Sequence, residues 1–186
     1  MERAAWLERR FGAEIEWLPF DLHPEYPPEG LSFEQLEAKY NRDLRTGQAQ
    51  MFDAAGLPHA PRTRVPNSRA ALNVAELARE RGVHGPLHDR LMHAFWAEDR
   101  DISDPDVLVE EASAFGIDPD DVRVAAAAFP YQDRIDASSA AMLEMGAGGV
   151  PAWAVDDRVM IPGAQPHELF ERVMEKLGYE PLTTSM

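Results

Sequence analysis

The chain has 186 residues, of which 45% are hydrophobic and 27% are charged, proportions that are ordinary for a globular domain with a core. Its formal net charge of -15 argues against nucleic acids and anionic membranes as partners, because phosphate binding needs clustered lysines and arginines. No apolar run approaches the roughly 20 residues that span a bilayer, and the N-terminus resembles a charged helix rather than a secretory signal. We therefore expect a cytoplasmic protein.

The chain contains no cysteine. Thiol–disulfide exchange uses a thiolate as the nucleophile, so these 186 residues cannot carry out that chemistry by themselves.

The first predicted elements are a helix and a strand. Leu7 and Phe11 are spaced to share one face of a helix, but no Ser, Thr, Asp or Asn precedes that helix to cap its N–H groups. An uncapped helix beginning at a methionine indicates a sequence that has been cut short. Residues 14–22 are predicted to form a strand, and Pro19 confines it to an edge or a bulge because proline cannot donate to a ladder.

Residues 31–130 are predicted to be an all-helical block. Ser32 and Gln35 form a capping box for a helix that runs to about residue 46, and residues 48–55 either continue it or begin another helix. Residues 57–66 carry three prolines and are predicted to form a loop, after which Asn67 or Ser68 caps the next helix. Further helices are expected to begin near residues 86, 104, 119 and 133, the last of them running to about residue 145.

The last predicted elements are a β-hairpin and a helix. Residues 152–155 and 159–161 are apolar and β-branched runs on either side of a polar corner at 156–158, which is the pattern of a hairpin. Gln165 is placed to cap the helix that follows, with Pro166 at its first position.

The Gly-Val-Pro at residues 149–151, directly before this hairpin, resembles the cis-proline loop of the thioredoxin superfamily. The Asp-Asp-Arg corner and the Gly-Ala-Gln-Pro at residues 163–166 resemble the DsbA family in its cytoplasmic FrnE-like form, close to the 2-hydroxychromene-2-carboxylate isomerases. Similar segments recur in the family's order over nearly the whole chain, at residues 16–24, 27–30, 66–68 and 82–108.

The resemblance implies an α/β, thioredoxin-like fold with an inserted all-helical subdomain. Residues 1–30 and 131–186 would form the core, and residues 31–130 the helical insertion. Members of the family begin with a strand and a Cys-x-x-Cys motif or, in the isomerases, a serine. Because the first residues here resemble the middle of the helix that follows that motif, we expect the first core strand and the catalytic residues to be absent from this chain.

Val150 and Pro151 are the predicted substrate-binding residues. The resemblance implies that the exposed N–H and C=O groups before the cis-proline pair with an extended, disulfide-containing peptide or with glutathione. Read without the resemblance, the same residues favour an ordinary tight turn before a hairpin.

Four further residues are candidates for a binding cleft. Asp156 and Asp157 could contact a ligand, although turn chemistry alone explains a polar hairpin corner. Asn67 and Ser68 match a family position near the cleft, although helix capping explains them equally well.

The histidines do not indicate a metal site. His84 and His88 are four residues apart, but Gly85 and Pro86 are expected to break the helix between them, while His88 and His93 do not share a face. A zinc site also needs a third ligand at a recognisable spacing, and we expect no metal here.

Three functions remain open at this point. The chain could belong to a thiol–disulfide oxidoreductase whose redox motif lies outside it. It could belong to a glutathione-dependent isomerase, if the missing residue is a serine. It could also be a non-catalytic binding or assembly protein that completes its sheet with a partner's strand or as a homodimer.

Overall fold

The computed structural model describes residues 2–182, which contain nine α-helices and four short β-strands. The helices are α1 (Glu2–Phe11), α2 (Phe33–Tyr40), α3 (Leu44–Ala54), α4 (Arg69–Glu80), α5 (His84–Ala97), α6 (Pro105–Ser113), α7 (Pro119–Ala128), α8 (Gln132–Glu144) and α9 (His167–Leu177). The strands are β1 (Leu31–Ser32), β2 (Arg64–Val65), β3 (Ala152–Val155) and β4 (Val159–Pro162). Among the described residues, no helix is both long and apolar enough to cross a bilayer.

The chain divides into two compact units. One, here called the hairpin unit, contains the residues up to Leu18 and those from Ala140 onward. The other, the helical unit, is Pro19–Ser139. The division predicted from the sequence, with 1–30 and 131–186 as the core and 31–130 as an insertion, stays a prediction.

The helical unit is built around α4, which packs against α5, α6 and α7. Most residues of α4 are buried, and Val74 and Ala78 have no exposed surface. The prolines that open α6 and α7 each follow an aspartate, Asp104 and Asp118, whose side chain accepts a hydrogen bond from the backbone two residues on. These caps satisfy donors that a helix leaves free at its N-terminus.

The hairpin unit contains an antiparallel hairpin and two helices around one apolar cluster. β3 pairs with β4 from Ala152 opposite Pro162 to Val155 opposite Val159. The cluster combines Leu7 and Phe11 of α1 with Ile161 of β4 and with Phe170 and Met174 of α9. The predicted hairpin and the apolar face of α1 are confirmed.

The strand predicted at residues 14–22 is wrong. Ala13, Ile15 and Trp17 are half-buried and alternate with exposed neighbours, as in a strand, but the segment forms no ladder. A strand needs a partner for its backbone groups, and within residues 2–182 both β3 and β4 pair only with each other. Pro19 is buried in phase with these residues, but it has no N–H to donate to a ladder.

Several predicted boundaries also change. The capping box of Ser32 is present, but α2 ends at Tyr40 because Asn41 takes the left-handed conformation, and Asp43 then caps the separate helix α3. The block predicted to be all-helical contains the short β1–β2 ladder, in which Leu31 lies opposite Val65. The N-cap of α9 is Pro166, one residue after the predicted Gln165.

The turn of the hairpin places a constraint on side-chain shape. Asp156 and Asp157 have φ angles of 53° and 54°, in the left-handed region that Asp tolerates and β-branched residues avoid. We expect Asp157→Val to lower the free energy of unfolding by about 1–2 kcal/mol, although residue 157 is exposed. Asp157→Gly is the control and should change it by less than about 0.5 kcal/mol. Equal stabilities of the two variants in urea unfolding would contradict this account of the turn.

Candidate functional site

The candidate binding loop lies between α8 and β3. The Val150–Pro151 peptide bond is cis. Val150 is 56% exposed and Pro151 is also exposed, so both are accessible from solvent. The Pro151 carbonyl accepts a hydrogen bond of 2.7 Å from the Gly163 N–H, which fixes the loop to the end of the hairpin.

The backbone of Val150 has unused hydrogen-bonding capacity. In the part of the chain that the structure describes, neither its N–H nor its C=O has a hydrogen-bond partner. Backbone N–H and C=O groups in folded proteins are usually paired. Because these two groups are free and accessible, an incoming extended chain can form hydrogen bonds with both of them without breaking a bond within the protein.

The free groups of Val150 lie directly before a strand edge. Because bonded and non-bonded pairs alternate along an antiparallel ladder, the Gly163–Pro151 bond places the hydrogen-bonding groups of Trp153 and Val155 toward β4. Those of Ala152 and Ala154 therefore point away from β4, along the outer edge of β3. Within residues 2–182 this sheet has two strands, so that edge carries no ladder.

Trp153 anchors β3 to the unit. Its ring packs edge-on against Phe170 at 5.3 Å and lies 6.3 Å from Trp17. Its Nε1 is buried without a hydrogen-bond partner among the described residues. Aromatic contacts of this kind hold the strand in place and thereby position the loop that precedes it.

Asp156 and Asp157 form the hairpin turn, as turn chemistry predicted. The Tyr179 hydroxyl donates to Asp156 Oδ2 at 2.5 Å, and this hydrogen bond raises the pKa of Tyr179. Asp156 thus connects the turn to the segment after α9. Asp157 is exposed.

Asn67 and Ser68 belong to the helical unit. Asn67 Oδ1 accepts from the Arg69 N–H at 2.9 Å, and its Nδ2 donates to the Tyr26 carbonyl at 2.8 Å. Ser68 occupies the N-cap position of α4 but makes no side-chain capping bond. Of the two predicted caps, Asn67 therefore satisfies a free N–H of α4. Val150 and Pro151 lie in the hairpin unit.

Asp21 is a buried polar residue that sequence reasoning did not single out. Its Oδ1 accepts from the His23 N–H at 3.3 Å, and its own N–H donates to Ser139 Oγ at 3.0 Å. Burial raises the pKa of the Asp21 carboxyl above its ordinary value of 3.8. Next to it, the His23 ring stacks on Tyr26 with 4.3 Å between centroids. The only signal in the sequence is an aspartate between two apolar residues.

The expectation that His84 and His88 lie on different sides of a helix break is wrong. α5 begins at His84, and the two rings stack 5.8 Å apart. Burial and then the nearby Arg79 charge lower the pKa of His84 to about 4. Among residues 2–182, no group of three or more His, Cys, Asp or Glu side chains could hold a metal ion.

Comparison with known proteins gives matches over most of the chain. The model of the DSBA-like thioredoxin domain matches residues 2–175. The uncharacterized protein YwbO of Bacillus subtilis (strain 168) is 28% identical over 170 residues, which cover 87% of this chain and 80% of YwbO.

Solved structures that are similar to this one include an oxidoreductase and an isomerase. A probable DsbA oxidoreductase from Streptomyces coelicolor has a TM-score of 0.73 and 28% identity, over 90% of this chain and 76% of the other. A 2-hydroxychromene-2-carboxylate isomerase has a TM-score of 0.65 and 19% identity, over 95% of this chain and 87% of that protein, a level of identity at which the likeness concerns the fold alone.

The two adjacent residues at the start of α4 should differ in their effect on stability. Asn67→Ala removes both the cap and the bond to Tyr26, so we expect the free energy of unfolding to fall by roughly 1–2 kcal/mol. Ser68→Ala is the matched control and should cost less than about 0.5 kcal/mol, because no capping bond is lost. Equal costs in urea unfolding would contradict this assignment.

Asp21→Asn should make the protein more stable at neutral pH. Folding raises the pKa of the Asp21 carboxyl, so its ionised form is penalised in the folded state, whereas the amide keeps the oxygen that accepts from His23. The penalty is present above the folded pKa and disappears below 3.8, where the carboxyl is neutral in both states. Denaturant unfolding should therefore show a gain at about pH 7 that vanishes near about pH 3. The exposed Asp133→Asn is the control, and a similar gain there would contradict the prediction.

Proposed function

Because the chain belongs to the DSBA-like thioredoxin domain family, we propose that it serves thiol–disulfide exchange in the cytoplasm, as part of an FrnE-like oxidoreductase. The family match confirms the thioredoxin-like α/β fold predicted from the sequence, and the helix-rich architecture agrees with an inserted helical subdomain. In this proposal the substrate is an extended, disulfide-containing peptide or glutathione.

The observation that carries the proposal is the free backbone of Val150. An extended peptide beside this residue would accept a hydrogen bond from its N–H and donate one to its C=O, as an added strand does. The exposed Pro151 ring beside it offers an apolar surface to the same ligand. The two bonds would fix the direction and depth at which the substrate's disulfide is presented.

The chemical step needs thiolates that these 186 residues do not contain. A thiolate attacks one sulfur of the bound disulfide, a mixed disulfide forms, and the other sulfur leaves as a thiolate. A second thiolate of the enzyme then attacks the enzyme sulfur of the mixed disulfide and releases the substrate's other sulfur as a thiolate. The enzyme now holds a disulfide and the substrate is a dithiol. In the reverse direction the enzyme oxidises a substrate dithiol. The contribution of this chain is to hold and orient the substrate.

The outer edge of β3 supports a second candidate, a binding or assembly role. Ala152 and Ala154 present backbone groups that a partner's strand, or β3 of a second copy, could pair with. Catalysis by an isomerase with glutathione would use the same Val150 groups to hold the glutathione peptide and would differ in the nucleophile.

Oxidised glutathione is a suitable first probe, because it is both a peptide and a disulfide. We expect Val150→Pro, which removes the N–H, to weaken its binding roughly tenfold, the loss that corresponds to one hydrogen bond. Val150→Ala is the matched control: it shortens the side chain, keeps the N–H, and should stay within about twofold of the original affinity. Isothermal titration calorimetry gives both values, and near-UV circular dichroism checks that each variant is folded.

Two results would refute the proposal. If Val150→Pro is folded and binds as well as Val150→Ala, the backbone of this residue does not hold the ligand. If the unmodified chain binds neither oxidised glutathione nor a disulfide-containing peptide, the loop is an ordinary turn.

A further inference from the structure

Helix α3 (Leu44–Ala54) has no fully buried residue. Leu44, Ala49 and Phe52 are half-buried, and Met51, in the second half of the helix, is 72% exposed. Helices in proteins are held mainly by the burial of an apolar face. Burial therefore holds α3 less firmly than α4, most of whose residues are buried, and polar contacts contribute more to the attachment of α3.

One set of contacts fixes the N-terminal end of α3. The Glu37 carboxylate of α2 accepts hydrogen bonds from the backbone N–H groups of Leu44 and Arg45, each at 3.3 Å. It also pairs with the Arg45 guanidinium at 2.9 Å. The single carboxylate thus joins the start of α3 to α2, whose Leu36 is buried.

A second set of contacts holds the rest of the helix. Gln48 Oε1 accepts from Arg62 Nη2 at 3.0 Å, and the Phe52 ring lies 4.9 Å from the ring of Trp96. The Arg62 guanidinium is itself placed over the rings of Phe95, at 3.9 Å, and Trp96, at 4.1 Å. α3 therefore covers a cation that rests on two aromatic rings.

The covered cation is poorly compensated. Arg62 is only 6% exposed, and its Nη1 is buried without a hydrogen-bond partner among the described residues. The partner of Nη2 is a neutral amide. Burial lowers the pKa of Arg62 to about 10. No carboxylate among the described residues is hydrogen-bonded to Arg62, and Asp99 acts on it only through its charge. The buried guanidinium therefore carries a desolvation cost, which hydration would remove if α3 moved away.

We propose that α3 is a flap that opens about its Glu37 attachment while α4 to α7 stay folded, and that the Gln48–Arg62 hydrogen bond is its latch. Opening exposes Arg62, Phe95 and Trp96 to solvent. Closure is favoured by the Phe52–Trp96 contact and the latch, and it is opposed by the desolvation of Arg62.

Amide hydrogen exchange of the full chain, read by mass spectrometry, tests the flap directly. Amides in residues 47–54 should exchange faster than those of α4, because they open without global unfolding. Gln48→Ala removes the latch and should raise the exchange of α3 roughly tenfold. Gln48→Glu places a carboxylate against the guanidinium and should slow that exchange by a similar factor, roughly tenfold. The exchange of α4 should not change in either variant.

Gln50 provides the matched control, since it lies on the same helix and is exposed. Gln50→Ala should not speed the amide exchange of α3 as Gln48→Ala does, and Gln50→Glu should not slow it as Gln48→Glu does. If the amides of α3 and α4 have equal protection factors, α3 does not open separately and there is no flap. If Gln48→Ala and Gln48→Glu change the exchange of α3 in the same direction, the Gln48–Arg62 hydrogen bond is not a latch. The same conclusion holds if the residue-50 variants change the exchange of α3 as the residue-48 variants do.

Discussion

The unpaired backbone at Val150 and along the outer edge of β3 is the feature on which the functional account depends. A strand edge is useful for binding only if it is held rigidly, because a mobile edge loses entropy when a ligand orders it. Here the edge is fixed from three sides. The Gly163–Pro151 bond holds the loop, Trp153 packs against Phe170 beneath it, and the turn is connected through Asp156 to the segment after α9. The hairpin unit therefore preorganises a short row of donors and acceptors.

The helical unit shows two different ways of attaching a helix. α4 is held by burial, and even its polar residue Glu76 is fully buried, paired with Arg79 and Arg134. α3 is held by side-chain contacts at the surface, among them a hydrogen bond to a buried and poorly compensated guanidinium. The free energies needed to open these two helices should differ accordingly, although they belong to one compact unit.

Local chemistry made much of this structure predictable from the sequence. The hairpin at 152–162 followed from two apolar runs around a polar corner, and the capping box at Ser32 and the helix starts near residues 104 and 119 followed from residue type and spacing. The family resemblance, which rested on short segments in a fixed order, is confirmed by the match over residues 2–175.

What could not be predicted depends on partners distant in the sequence. Residues 14–22 alternate as a strand does, but alternation does not show whether a neighbour supplies the ladder. The β1–β2 pairing joins segments more than thirty residues apart, and the backbone N–H of Asp21 donates to Ser139, which is still more distant. The sequence pattern predicts a helix that begins near Pro86, but α5 begins at His84, because proline is tolerated throughout a first turn.

The most direct test of the account is a titration of the ¹⁵N-labelled chain with oxidised glutathione, followed through the amide resonance of Val150. The account predicts that this resonance shifts strongly, because its N–H gains an acceptor, and that Ala152 on the adjoining edge shifts as well. If Val150 and Ala152 remain unchanged while the ligand binds elsewhere, for example in the helical unit, the assignment of the binding loop is contradicted.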